Sequence, residues 1–416
     1  MADIKAFKAL RPVKDMIEKS AALPYDVYDR AEAVEEVKKN PDSFLAIDRA
    51  ETAFGPEVDT YADVVYAKAA ALMQERIDEG VYKTDEKACY YIYEQTMEGR
   101  VQTGIVACAS IDDYENGIIK KHENTRADKE EDRVRHVDAL SAQTGPIFLA
   151  YRENSEIRRI IEKVKADKNA LLYDFVSTGD IRNRCFIIAD DEDIKTIKEA
   201  FEGIDHIYIA DGHHRCASAV RVGKMRRAAK PGYNGTEEFN HFLAVLFPDE
   251  ELKIMDYNRV VKDLNGMTAD GFMEAIGRGF VISAASASEV HPGAKGEIGM
   301  YLDHKWYLLT MKNEIKSTDP VDGLDVAVLQ NEVLDKLLGI KDPKTDKRID
   351  FVGGIRGLKE LERRVDALGD GVAFAMYPTQ IGELFAVADA GRLMPPKSTW
   401  FEPKLLSGIF IHQFER

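Results

Sequence analysis

The chain has 416 residues, 45% hydrophobic and 31% charged, with 29 Gly and 14 Pro, a folded composition long enough for more than one core. Lys and Arg total 57 against 73 Asp and Glu, so the net charge is -16; a surface of that sign repels phosphate backbones and argues against nucleic acid as a partner. The four cysteines, Cys89, Cys108, Cys185 and Cys216, lack CxxC spacing, which argues against a zinc or disulfide framework, and the absence of an apolar signal region or a run of membrane-spanning length leads us to expect a cytoplasmic protein with no membrane partner.

Residues Phe7 to Asp29 carry LRPVKD and ALPYDVYDR, whose prolines predict extended chain and turns. Ala31 to Lys39 reads as a helix closed by Asn40-Pro41. Thr60 to Glu79 reads as a longer one, with apolar residues at helical spacing ahead of Gly80. Ala88 to Gln95 and Arg100 to Ser110 are aromatic and β-branched runs on either side of Glu98-Gly99, a hairpin signature. Asp112 to Ala142 is predicted as charge-dense helix, stopped by Gly145-Pro146.

Strand and helix signals then alternate: strand Ile147 to Tyr151, helix Asn154 to Lys165, strands Ala170 to Val176 and Arg184 to Ala189, helix Asp193 to Phe201, and the segment IYIADGHHRCASAV. Strands His241 to Pro248 and Leu252 to Met255 follow around Asp249-Glu250. From about Thr268 the pattern restarts with a strand Phe280 to Ser283, a strand pair near Met300 to Met311 and a helix Val326 to Leu338. A strand ending at Val352, a helix Gly357 to Leu368, a strand Val372 to Tyr377 and a helix Gln380 to Ala390 complete it. The expected fold class is therefore mixed α/β with mixed sheets in a two-lobed chain, 1–265 and 266–416, dividing near Gly266.

In IYIADGHHRCASAV a near-continuous apolar strand ends in Asp-Gly and turns straight into a helix. Such a turn presents free amides at a helix N-terminus, where the dipole favours an anion. Gly212 permits close approach, Arg215 can bind a phosphate through two parallel N–H bonds, and His213 or His214 can donate a hydrogen bond or carry a proton. Asp211 suits Mg²⁺ ligation or general-base work. The bland alternative is an aspartate that caps the helix and an arginine paired with a surface acid; the convergence of four polar residues and a glycine at a strand C-terminus favours a phosphate site. Adjacent residues on a helix point about 100° apart, so His213 and His214 are poorly placed to share one ion.

YIADGHHRCASA resembles the DGHHR element of the domain-of-unknown-function 1015 family. That element is similar to the nucleotide-contacting motif of the ParB/sulfiredoxin superfamily, whose free-serine kinases carry the same five letters. The resemblance to the first family extends to LPYDVYDR, KKHENTRADKEEDR, DYNRVV and MPPKSTWFEPKLLSG, and so to nearly the whole chain. Resemblance to the kinases covers only the strand, motif and helix, and no counterpart of the N-terminal box of ParB proteins is recognisable.

With that resemblance, KHENTRADKEEDRVRH becomes a second candidate, although a charge-rich helix is more often a solvated surface. Lys129 and Arg133 would lie one turn apart on a helix face, with Thr125 and His122 near the same stripe, as a phosphate clamp, and Glu123 would serve as base for an acceptor hydroxyl. HENTR lacks the second histidine of a zincin. MPPKSTWFEPK offers Lys397, Ser398 and Thr399 after a stiff Pro-Pro turn, with Lys404 following; a surface loop stapled by Trp400 and Phe401 is the plainer account. DFVGGIRGL has a glycine turn of the kind that serves packing, and no Walker, Rossmann or GxSxG motif occurs.

The resemblance implies a phosphotransferase between a nucleotide, ATP or ADP with Mg²⁺ on Asp211, and a small hydroxylated metabolite, with serine the best match. Two alternatives stay open: a phosphatase of a small phosphometabolite such as phosphoserine, and a non-catalytic nucleotide-binding protein. The oligomeric state is not legible in the sequence.

Overall fold

A computed structural model of the chain describes residues 1–125 and 127–415. It divides into two compact units, one formed by Met1–Leu252 with the C-terminal segment from Pro403, the other by Lys253–Glu402. The pattern of the sequence places the division near Gly266, but Tyr257–Val261 is a strand of the second unit's sheet, and the chain's last segment returns to the first unit. Among the described residues no helix is long and apolar enough to cross a membrane.

The first unit is built on a mixed nine-stranded sheet. Across it the strands run Ile119–Lys120, Ile207–Asp211, Ile147–Tyr151, His241–Pro248, Arg100–Ser110, Tyr90–Met97, Ile181–Ile188 and Leu171–Ser177, and Ile4–Lys5 pairs with Arg100–Ser110. The Glu98-Gly99 hairpin forms as expected because both turn residues take positive φ, 51° and 79°, matching the twist of the flanking strands. Two pairings are parallel, Ile207–Asp211 with Ile119–Lys120 and His241–Pro248 with Ile147–Tyr151.

Helices Ser155–Ala166 and Asp191–Glu202 turn Ile157, Ile160, Ile161, Ile197 and Phe201 onto one core with Ile92, Ile105, Leu149 and Ile209. Both are capped by an Asx side chain, Asn154 and Asp190, that accepts from first-turn amides. A second core gathers Leu10, Phe44, Leu45, Val65, Met73 and Ile411 around the helix Asp63–Asp78.

One expectation fails in an instructive place. Asp112 to Ala142 is not one helix: Ile111–Glu115 is a short helix, Gly117 takes φ 75°, Ile119–Lys120 is a two-residue strand, and the long helix begins only at Ala127. His122, Glu123 and Thr125 therefore lie in a connecting loop and not on a helix face, and Arg126 of the HENTR run lies outside the described residues.

The second unit is a six-stranded antiparallel sheet in the order Phe280–Ile282, Lys305–Met311, Glu297–Leu302, Val372–Met376, Tyr257–Val261, Ile349–Gly353. The helix Leu358–Leu368 buries Leu358, Leu361 and Val365 against Val260, Trp306 and Ala373. The predicted helix from Val326 to Leu338 instead tightens to Asp325–Leu329 and widens into π turns over Gln330–Asp335.

Candidate functional site

The parallel pairing of Ile207–Asp211 with Ile119–Lys120 builds the site. Parallel neighbours end on the same side of a sheet, so the loop that follows Lys120 and the turn that follows Asp211 emerge together. Two segments carrying His122 and His213, residues 91 positions apart, are thereby brought into contact. The two imidazoles meet edge to face with ring centroids 4.5 Å apart. Glu123 Oε2 stands 3.9 Å from His213 Nδ1.

Both rings are buried, and burial drives both toward the neutral form. It lowers His122 to about 4 against the pull of the Asp211 charge, and it takes His213 well below the ordinary imidazole range, with His122 adding to the effect. Among the described residues neither His122 Nδ1 nor His213 Nε2 has a hydrogen-bond partner. Two buried, neutral imidazoles with open ring nitrogens are uncommon in a satisfied interior and mark a place for a polar ligand.

The turn itself requires glycine. Gly212 sits at φ 92°, ψ 32° and caps the helix His213–Ala229 without a side chain of its own, so it leaves the first-turn amides uncapped from that position. A Cβ there would stand 3.1 Å from Arg215 Nε and Nη2, because the arginine folds back across the turn. Arg215 Nη1 donates to the Pro146 carbonyl at 2.6 Å, and Nη2 lies 3.8 Å from Asp211 Oδ2. His214 is half-buried in the same turn, and its carbonyl accepts from Ser218 Oγ at 2.6 Å.

Asp211 is the electrostatic hub. Its Oδ1 accepts from the Gly212 N–H at 2.9 Å, and its Oδ2 accepts from Lys404 Nζ at 3.1 Å. Burial works to raise its pKa, but the Lys404 ammonium and then the Arg215 guanidinium outweigh it and hold the carboxyl well below the usual range. Asp211 is therefore ionised at neutral pH and ill-suited to accept a proton.

On the inner side of the motif helix lies a small cavity of about 30 Å³, lined among others by Tyr25, Asp48, Arg133, His136, Thr144 and Arg215. Arg133 stacks 3.9 Å from the Tyr25 ring centroid and pairs with Asp132 at 2.8 Å, and Thr144 Oγ1 donates to Asp48 at 2.9 Å. Tyr25 belongs to LPYDVYDR, so three of the sequence segments singled out above meet around Arg215. A roomier cavity of about 250 Å³ opens elsewhere in this unit beside Glu18, Glu36 and Asn40, away from the motif turn.

The structure brings together Asp211, Gly212, His213, His214, Arg215, His122 and Glu123, with Arg133 behind them. Thr125 Oγ1 donates to Glu130 at 3.0 Å, and Lys129 is half-buried in the first turn of Ala127–Leu140. Lys397, Ser398 and Thr399 belong to the second unit. There Lys397 takes φ 61°, its carbonyl accepts from Arg259 at 3.0 Å, and its ammonium lies 5.6 Å over the Tyr257 ring. Ser398 Oγ donates to the Pro395 carbonyl at 2.6 Å, so that hydroxyl is engaged within its own loop, and Thr399 is half-buried. Tyr25 and Asp48 are the residues that motif reasoning leaves out, while Lys404, named in the sequence only as following the Pro-Pro loop, joins the Asp211 turn. Membership of LPYDVYDR is the one signal of Tyr25 in the sequence; Asp48 has none.

Comparison with known proteins gives the following. The model of the family described as "Protein of unknown function (DUF1015)" matches residues 4–327. No curated protein matches the chain in sequence. Among solved structures, the chain is similar to a mutant free serine kinase in complex with ADP, at 15% identity and a TM-score of 0.32 over 73% of this chain and 88% of that one. It is similar to SbnI with a C-terminal truncation from Staphylococcus aureus, at 12% identity and a TM-score of 0.36 over 72% and 85%. A conserved hypothetical protein from Pyrococcus furiosus aligns at 15% identity and a TM-score of 0.31 over 75% and 97%.

Proposed function

The chain belongs to the DUF1015 family, and from the geometry of its strand-end site we propose that it is a phosphotransferase, moving a phosphoryl group between a nucleotide and a small hydroxylated metabolite. The observation that carries this reading is the juxtaposition, at one strand end, of a helix N-terminus whose N-cap glycine offers no side-chain cap and the Arg215 guanidinium with two buried imidazoles whose His122 Nδ1 and His213 Nε2 have no hydrogen-bond partner among the described residues. Amides and a guanidinium suit phosphate oxygens. A neutral imidazole can donate one hydrogen bond without adding a charge that must be desolvated, a donor that His213 can supply at Nε2 while the N–H of His122 is directed at the Ile209 carbonyl.

In this reading Arg215 and the first-turn amides hold the phosphates, and His213 and His122 orient the group in transfer. Glu123, only partly buried and beside His213, draws the proton from the acceptor hydroxyl. The motif resemblance supports serine as the acceptor.

The residues do not fit a magnesium ion held by the protein. Both Asp211 oxygens are engaged by the chain's own donors, and among the described residues no three His, Cys, Asp or Glu side chains converge as ligands. A cation arriving on the nucleotide's phosphates would be part of the substrate.

The test is phosphorus NMR of the full chain with ATP or ADP, magnesium chloride and a panel of hydroxy amino acids and their phosphates. We expect transfer, with kcat/KM lowered roughly 100-fold or more in Arg215→Ala, as for loss of one preorganised charge-stabilising donor, and a comparable loss in Glu123→Gln. Full activity in both variants, with unchanged circular dichroism, would remove the assignment.

A further inference from the structure

Lys404 reaches Asp211 from the segment by which the chain re-enters its first unit, and it is fixed there twice. Its ammonium donates to Asp211 Oδ2, and its carbonyl accepts from Gln95 Nε2 at 3.1 Å. Gln95 is itself part of a polar network in the large sheet. The Tyr93 hydroxyl donates to Asn183 Oδ1 at 2.8 Å, Gln102 donates to Gln95 Oε1 at 3.1 Å, and Asn183 Nδ2 donates to Ser177 Oγ at 2.9 Å. Tyr93, Gln95, Gln102 and Asn183 are each at most 1% exposed. Polar side chains so deeply buried persist only when they satisfy one another, and that mutual satisfaction locks each rotamer. The lock ends on the Lys404 backbone.

The charge arrangement at the other end is lopsided. Asp211 Oδ2 faces both Lys404 and Arg215, at 3.1 and 3.8 Å, while Oδ1 faces an amide. Glu123, the carboxylate of the neighbouring loop, is placed against His213. A carboxylate flanked by two cations at the positive end of a 17-residue helix is a setting in which a bound anion is electrostatically favoured.

We propose that Lys404 is a phosphate-binding residue of the site, that Asp211 serves as its counter-ion and not as a metal ligand, and that Gln95 positions it. An ammonium carries three N–H donors, so it can hold Asp211 and a phosphate oxygen together. The ligand class is the phosphate chain of a nucleoside diphosphate or triphosphate. The inference rests on the reading of the Asp211 turn as a phosphate seat, and it makes the resident lysine, with Arg215, the source of charge neutralisation.

Isothermal titration calorimetry of the full chain with ADP, in EDTA and in magnesium chloride, tests it. Wild type is expected to bind in both buffers. Lys404→Met should weaken binding tenfold or more, the order expected for one charge-assisted hydrogen bond, with Lys404→Arg restoring most of it. Gln95→Leu should weaken binding in the wild-type background and add nothing in Lys404→Met, a non-additivity that a purely structural role would not produce. Lys404→Gln, shorter and uncharged but still a hydrogen-bond donor, serves if the methionine variant does not melt like wild type.

If the folded Lys404 variants bind ADP like wild type while Arg215→Ala does not, Lys404 is only half of an ion pair and this inference falls, leaving the phosphate seat standing. If wild type binds neither ADP nor inorganic phosphate in either buffer, the seat falls and Lys404 with it.

Discussion

Gly212 shows how much of the site hangs on one backbone angle. At φ 92° any L side chain is strained, by about 1–2 kcal/mol, and here a methyl group would also press on the Arg215 guanidinium. Gly212→Ala should lower the urea midpoint by that order and weaken phosphate binding further by displacing Arg215; a variant equal to wild type in both would show that the turn tolerates other conformations. His122 makes a second prediction. Burial lowers its pKa from the ordinary 6.5 to about 4, so the unfolded chain binds this proton first as pH falls. The stability it contributes is complete above pH 6.5 and is lost progressively down to about pH 4, on the order of 3 kcal/mol across the window. Denaturant titrations of His122→Leu should show a shallower fall between those limits than wild type, and an identical slope would mean that the imidazole is already protonated or solvated in the folded state.

At the scale of the element, the motif helix His213–Ala229 is bound by contacts that helix propensity does not record. Replacing an interior helical glycine with alanine ordinarily stabilises by about 1 kcal/mol. At Gly223 the added Cβ would stand 2.5 Å from the Phe239 carbonyl oxygen and 2.7 Å from Ile111 Cδ1. Backbone cannot swing away as a side chain can, so Gly223→Ala should destabilise by roughly 1–3 kcal/mol, as overpacking does; a raised melting temperature would refute the close approach. The same contrast explains which elements were legible. Helix Asp63–Asp78 and the hairpin Tyr90–Met97 with Arg100–Ser110 announce themselves through periodicity and a Glu-Gly turn, both local signals. Ile119–Lys120 does not. Two residues carry no period, and they are a strand only because Ile207 and Tyr208 lie alongside. With no period to mark that strand, the sequence pattern predicts helix through the His122 loop and carries no sign that His122 and His213 meet.

At the scale of the whole chain, the site draws on residues 25, 48, 122, 123, 133, 211–215 and 404, and Asp211 to Arg215 are its one run of five neighbours in sequence. Strand, turn and helix chemistry made those five legible, whereas Tyr25, Asp48 and Lys404 reach the site through tertiary packing, which no local pattern encodes. The segment from Pro403 is the clearest case. It pairs Ser407 with Ala22, Ile411 with Leu10 and His412–Gln413 with Ala142–Gln143, and it seats Gly408 against Phe44. Leu405, Leu406, Ile409, Phe410 and Ile411 are all at most 3% exposed. Burying five such side chains contributes on the order of 10 kcal/mol, comparable with the entire stability of a typical domain. A chain ending at Glu402 should therefore lose the first unit's cooperative unfolding and not merely Lys404. Hydrogen exchange is the measurement: the amides of Arg100–Ser110 and His241–Pro248, central in the large sheet, should lose protection in the truncated chain. Protection retained there, together with lost ADP binding, would make the segment a donor of Lys404 alone and dispensable to the fold.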